Sequence, residues 1–149
     1  MNQEKFKKEL AQTLSKHNEN AIQRINKVLS ILPDKTKSIS IMVSPNQDGD
    51  GNFSVFISLD GPGLYVLNNQ IQDYFEIFSP RYDDSELNPN IPIVDPFDVD
   101  FEVNDTVADV VVEWLSLLWE NVKSENVVVP VYICVDEDYG STPFIKINE

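Results

Sequence analysis

The sequence predicts an α+β fold: an antiparallel sheet packed against helices, with two N-terminal helices and one central helix that contains tryptophan. Three observations support this fold class. The chain has 149 residues and 42% of them are hydrophobic, so it can form a single domain over residues 1–149. Hydrophobic residues recur with a helical period up to about residue 32, and they alternate every second residue from residue 38 onward. Most strands are then joined by short turns, which favours an α+β arrangement.

Two helices are predicted at the N-terminus. Asn18 or Asn20 can cap the second helix, and Pro33 follows its end. The apolar positions that define the two helical faces are Phe6, Leu10 and Leu14 in the first helix and Ala21, Ile22, Ile25, Val28, Leu29 and Leu32 in the second.

A β-hairpin with a long acidic loop follows. Apolar residues alternate with mainly polar ones over residues 38–43 and 53–59, the pattern of two half-buried strands. The connector 45–52 is rich in Asn, Asp and Gly, and the turn formers of residues 60–63 end the second strand.

The middle of the chain has a mixed pattern. Residues 64–67 fit a short strand or a loop, and helical spacing of apolar residues then predicts a helix from about Asn69 to Phe78. Residues 79–96 contain four prolines and are predicted to form an ordered surface loop, a kind of segment that often carries function.

An acid-faced strand is predicted over residues 95–104, because apolar and acidic residues alternate there. Phe97, Val99, Phe101 and Val103 would lie on its core face, and Asp98, Asp100 and Glu102 on its outer face.

A helix capped by Asp105 or Thr106 should then extend to Val122. Trp114 lies on its apolar stripe, whereas Trp119 is about 140° away around the helix and is expected to be partly exposed, where it could anchor an interface.

Two strands are predicted to complete the sheet. The apolar run 127–135 is typical of a central strand and should bury Cys134, and a last strand over residues 144–147 should pair antiparallel to it. Cys134 is the only cysteine, which excludes an internal disulfide.

The charge of the chain is strongly acidic and uneven. Residues 1–37 hold eight basic and four acidic residues, a net charge of +4. The other 112 residues hold three basic and 21 acidic residues, a net of −18, and the whole chain therefore carries −14. Such a field repels nucleic acid and anionic membranes and attracts basic proteins. The alternative is that acidity only keeps the protein soluble.

No catalytic motif is present. The sequence has no Gly-rich phosphate loop, no nucleophile motif and no histidine cluster, so neither an enzyme nor a cofactor is expected. Because no signal peptide or long apolar run is seen, a cytoplasmic location is expected.

A calcium site is a weak alternative for the connector. Asn46, Asp48 and Asp50 match the first three ligand positions of an EF-hand, and Gly51 matches the glycine. Ile57 occupies the place of the bidentate glutamate, and the flanks are predicted strands, so a hairpin turn is the favoured interpretation.

Four segments carry a family resemblance: Pro45–Gly51 (PNQDGDG), Asp60–Asn68 (DGPGLYVLN), Asp95–Asp98 (DPFD) and Val111–Trp119 (VVEWLSLLW). Together they resemble a bacterial family of small acidic proteins of unassigned function. In size, acidity and mixed architecture the chain also resembles immunity proteins of contact-dependent growth inhibition and related polymorphic toxin systems. That resemblance implies a protein that covers the active site of a basic, nuclease-like toxin with carboxylates.

The leading functional hypothesis is therefore a binding protein for a basic partner, the cognate toxin domain. The alternative hypotheses are a calcium-binding or small-ligand module and an interaction protein without a toxin partner. The residues predicted to bind the partner are Tyr82, Asp83, Asp84, Glu86, Asp98, Asp100, Glu102 and Trp119.

Overall fold

A computed structural model describes residues 1–148. The helices are α1 (Gln3–Ser15), α2 (Asn18–Ser30), α3 (Leu64–Asn69) and α4 (Val103–Trp119). The strands are β1 (Ser38–Pro45), β2 (Phe53–Asp60), β3 (Glu76–Phe78), β4 (Arg81–Asp83), β5 (Glu86–Asn88), β6 (Val131–Val135) and β7 (Phe144–Lys146). A short turn (Asp136–Asp138) follows β6 in the connection to β7.

The α+β class is confirmed, but the main sheet is mixed rather than antiparallel. Its strand order is β3-β2-β1-β6-β7, and β4 and β5 form a separate small hairpin. Three of the four pairings in the main sheet are antiparallel, whereas β1 and β6 are parallel. The reason is the path of α4, which begins beside the end of β1 and leads the chain back to where β1 starts. A strand that enters there must run parallel to β1.

One face of the sheet is covered by helices and the other is open. The side chains of β1, β2 and β6 alternate between buried and half-buried along each strand, as the period of two requires. Ile41 pairs with Ile57 on one side and with Ile133 on the other, and all three are buried. The N-terminal helices are confirmed, and α1 buries its predicted apolar face. In α2 the predicted Ala21, Ile25 and Val28 are buried, whereas Ile22 and Leu29 are half-buried and Leu32 lies beyond the helix end.

Helix α4 is the centre of the helical layer. It lies along α1 and also contacts α2 and the sheet. Trp114 is 8% exposed, and its indole N–H donates to Asn18 Oδ1 at 2.6 Å, so the ring is buried without an unsatisfied donor. The helix begins at Val103, earlier than the sequence indicates, and ends at Trp119.

The predicted helix over residues 69–78 is wrong. The structure instead has α3 directly after the turn at 60–63, and then the short edge strand β3. Asn68 ties α3 to β2, because its side chain accepts from Leu59 N–H (2.8 Å) and donates to Leu59 C=O (3.0 Å). Pairing with the edge of β2 then overrides the local helical spacing.

The predicted acid-faced strand is also wrong. Residues 97–102 are irregular: the N–H of Asp98 donates to the C=O of Asp95 at 3.0 Å, which closes a turn. Pro96 is the second residue of this turn, a position that proline favours. The Asp95 side chain also accepts a hydrogen bond from Phe97 N–H (2.9 Å). Phe97, predicted to face the core, is 94% exposed.

The apolar run before β6 is shorter as a strand than predicted. It pairs only from Val131, because Pro130 has no N–H to donate, although its C=O accepts from Ile39 N–H at 3.0 Å. Cys134 is half-buried and points to the open face, since it alternates with buried neighbours. β7 pairs antiparallel to β6 as predicted. In residues 1–148, no helix has the length and apolar character that crossing a membrane requires.

Candidate functional site

Four elements meet at one end of the sheet. β1 ends there and β2 begins there, β6 runs towards it, and α4 starts beside it, as the hydrogen bond from Asn104 Nδ2 to Asn46 C=O shows (2.9 Å). The loops 46–52, 95–102 and 136–143 therefore converge, and a hydrogen bond from Val94 N–H to Asp50 C=O (2.8 Å) joins the first to the approach of the second. We call these loops and the first two turns of α4 the acidic end.

The acidic end concentrates negative charge. It holds no lysine, arginine or histidine. Its eleven acidic residues are Asp48, Asp50, Asp95, Asp98, Asp100, Glu102, Asp105, Asp109, Asp136, Glu137 and Asp138.

Five of these carboxylates hold the loops in place. They accept hydrogen bonds from nearby backbone N–H groups or serine hydroxyls. These hydrogen bonds offset part of the repulsion among the gathered carboxylates. Asp109 accepts from both the N–H and the hydroxyl of Ser141 (2.6 and 3.1 Å), so the last loop is fixed on α4. The other acceptors are Asp50 (from Asn52), Asp95 (from Phe97), Asp105 (from Gly140) and Asp136 (from Ser44).

The other six carboxylates are exposed and accept no side-chain hydrogen bond within residues 1–148. They are Asp48, Asp98, Asp100, Glu102, Glu137 and Asp138. The only ion pair in that part of the chain joins Arg81 to Glu76 (2.8 Å), away from the acidic end. The three carboxylates predicted to bind the partner are thus brought together with others, although not by a strand.

The loop after β6 has an unusual backbone. Glu137 and Asp138 both adopt left-handed conformations, with φ of 59° and 55°. A side chain with a Cβ is disfavoured there, and such strain tends to persist where the surroundings enforce it. The two exposed carboxylates are therefore displayed by a constrained loop.

The second group of predicted residues lies on the β4–β5 hairpin. Tyr82 is 64% exposed, and Asp83, Asp84 and Glu86 are exposed as well. Asp84 and Ser85 have positive φ, the conformation of a two-residue type I′ hairpin turn. The hairpin follows edge strand β3, so it forms a second acidic surface beside the main sheet.

Trp119 does not join either surface. It is half-buried, packs against the core and ends α4, whose other end meets the acidic loops. The residue that sequence reasoning missed is Phe97, which the alternation of residues 97–103 placed on a core face. The Asp95-Pro96 pair was the available signal, because this dipeptide favours a turn.

The connector 45–52 forms a hairpin loop. Its hydrogen bonds join the backbones of Asn46 and Asn52 (3.0 Å) and of Gly49 and Asn46 (3.1 Å). Within the described chain, no group of three or more His, Cys, Asp or Glu residues is arranged to hold a metal ion.

Comparisons with known proteins identify the family and nothing more specific. Neither a curated protein nor a solved structure matches the chain. One family model matches residues 1–149, and the chain therefore belongs to that family, DUF6389, which is described as a family of unknown function.

Proposed function

We propose that this protein is an immunity-type inhibitor, which neutralises a basic toxin domain by covering the toxin's active site with its acidic end. One observation carries the proposal. Six exposed carboxylates lie at one end of the molecule with no basic residue among them and no side-chain hydrogen bond within residues 1–148. None of the six forms an ion pair within residues 1–148, so each is available to lysine and arginine of a partner.

The placement of the charge supports binding over solubility alone. Solubility is served by charges of both signs spread over the surface. Here eleven acidic residues gather where three loops meet. Gathered like charges repel each other, which destabilises the fold, and they create a field that speeds encounter with a cationic surface.

The loops are organised before binding. Hydrogen bonds to Asp105 and Asp109 hold the 136–143 loop on α4, and the bond to Asp95 holds the turn at Phe97. Little loop ordering is therefore required on association, which preserves affinity. An inhibitor of a toxin that acts inside the cell would work in the cytoplasm.

The hairpin would extend the same contact. Its exposed Tyr82 can cover apolar surface while its hydroxyl stays solvated, and the same hairpin carries the exposed carboxylates of Asp83, Asp84 and Glu86. Aromatic residues are enriched at interfaces, whereas acidic residues contribute chiefly through complementarity.

The test is capture of the partner by matched variants. The tagged protein and two triple variants are incubated with lysate of the source organism at low and at high salt. One variant, Asp98→Asn/Asp100→Asn/Glu102→Gln, neutralises the acidic end. The control, Asp34→Asn/Asp60→Asn/Asp73→Asn, removes the same number of exposed charges outside it.

We expect a basic protein to be retained by the wild type and the control, and best at low salt. Neutralising the acidic end should weaken its binding by at least about tenfold. Co-expression must also suppress the toxicity of the captured protein. Equal binding by both triple variants would contradict the assignment of the acidic end, and a captured protein without toxicity would contradict the immunity function.

A further inference from the structure

Phe97 has the most exposed aromatic side chain within residues 1–148, with 94% of its surface accessible. It lies inside the acidic end, between Asp95 and Asp98, and Asp100 and Glu102 follow. Exposing a phenylalanine ring to water is unfavourable by the same hydrophobic term that folds the core. Within residues 1–148 the ring is almost fully exposed, so packing there does not account for it.

The ring is presented by a fixed turn. Asp98 N–H donates to Asp95 C=O (3.0 Å), and Phe97 N–H donates to Asp95 Oδ1 (2.9 Å). Pro96 fixes the backbone inside the turn. The position of Phe97 is therefore set by its own backbone.

The segment is also anchored on both sides of the turn. Before it, Val94 N–H donates to Asp50 C=O (2.8 Å). After it, Val99 and Phe101 are half-buried against the core, and the Phe101 ring lies 5.5 Å from that of Phe6. Phe97 is consequently held outward between two fixed points.

The surrounding charge selects the occupant of this site. A second copy of the chain would bring a second acidic end, and like charges would repel it. A cationic group is attracted both by the neighbouring carboxylates and by the negative face of the phenyl ring. The flat guanidinium of arginine can stack on the ring while its N–H groups reach a carboxylate, whereas the compact, strongly hydrated ammonium of lysine stacks less well.

We propose that Phe97 is the anchor of the acidic end, on which an arginine at the centre of the partner's basic surface stacks while it hydrogen-bonds the adjacent Asp98 carboxylate. This inference rests on the proposed function, and it names the chemistry that the partner must present. Arginine then confers specificity, and the remaining carboxylates confer long-range attraction.

The test uses two probes of equal length and charge: a peptide of alternating arginine and glycine, and one of alternating lysine and glycine. Each is titrated into the full chain at low salt and followed by NMR. We expect the arginine peptide to bind roughly fivefold more tightly and to shift the signals of residues 95–100. Phe97→Ala should abolish that preference, because it weakens binding of the arginine peptide more than binding of the lysine peptide.

Matched variants separate the possible outcomes. Phe144→Ala, which removes another exposed ring (62%) on strand β7, should keep the preference for arginine. Phe97→Trp should keep it as well, and Phe97→Leu should lose it, because only an aromatic ring attracts a guanidinium through its face.

The inference is overturned if wild type binds both peptides equally, or if Phe97→Ala retains the preference. Failure of the proposed function gives a different result. In that case neither peptide binds, or neutralising the acidic end weakens binding no more than neutralising Asp34, Asp60 and Asp73 does.

Discussion

At the residue scale, parts of the acidic end adopt backbone conformations that residues with a Cβ disfavour. Glu137 has φ of 59°, a region in which residues with a Cβ are strained by about 1–2 kcal/mol. Glycine adopts this conformation without strain. A glutamate at this position keeps a carboxylate on the surface at a cost in stability, which is the pattern expected of a binding residue.

Glu137→Gly should therefore stabilise the protein, by about 0.5–1 kcal/mol after the greater flexibility of the unfolded chain is subtracted. Urea unfolding measures the change. Glu113→Gly is the control, since it makes the same substitution at an exposed position of α4 and should destabilise by about 1 kcal/mol. A loss of stability in both variants would show that Glu137 is not strained. Under the proposed function, Glu137→Gly should also weaken binding.

At the element scale, α4 is the support on which the acidic loops are positioned. Gly140 lies against its first turns with φ of 84°. A Cβ at this position would be 2.9 Å from both Ala108 Cβ and Asp109 Oδ1, so no larger residue fits without moving the loop. The hydrogen bonds to Asp105 and Asp109 depend on that close approach.

Gly140→Ala should destabilise the protein by about 2–3 kcal/mol, because backbone strain and the steric clash add. Gly49→Ala is the matched control. Gly49 has a similar φ of 71°, but a Cβ there meets only Pro96 at 3.7 Å, so its cost should be that of the strain alone, about 1 kcal/mol. Thermal unfolding compares the two. Equal losses would mean that the 136–143 loop shifts freely on α4.

The elements also show how far the sequence determines this fold. The N-terminal helices, the β1–β2 hairpin and the buried stripe of α4 follow from local periodicity, which burial on one face enforces. The parallel pairing of β1 with β6 could not be predicted, because it depends on where α4 returns the chain. The short strand β3 depends on the open edge of β2, which lies outside its own sequence.

The arrangement of the predicted site residues depends on tertiary structure for the same reason. The acidity of the 95–104 segment is evident from the sequence, and Asp98, Asp100 and Glu102 are each exposed. Their grouping with Asp48, Glu137 and Asp138 arises only from the meeting of three loops. The sequence predicts a core position for Phe97 because apolar and polar residues can alternate in a turn as they do in a strand.

At the scale of the whole molecule, the loops at the two ends of the sheet differ in charge. The acidic end holds eleven carboxylates, whereas Lys35 and Lys37 precede β1 at the opposite end. Asp60 lies beside Lys37 there, as the hydrogen bond from Lys37 N–H to Asp60 C=O shows (2.7 Å). Within the acidic end the neighbouring charges are all negative, whereas Asp34 and Asp60 have lysines close by in the chain or in the fold.

This separation predicts opposite responses to the same chemical change. Asp98→Asn/Asp100→Asn should raise Tm at low salt by about 2–4 °C, corresponding to about 1 kcal/mol of relieved repulsion. Asp34→Asn/Asp60→Asn should leave Tm unchanged or lower it, since it removes attraction to nearby lysines. Glu102 is left intact, because a negative charge at the start of α4 favours the helix. The difference between the two variants should shrink in about 0.5 M salt, where charges are screened over a few ångströms. Equal responses at low salt would mean that repulsion among the carboxylates of the acidic end does not lower stability. Relief of that repulsion could then not contribute to the binding of a basic partner.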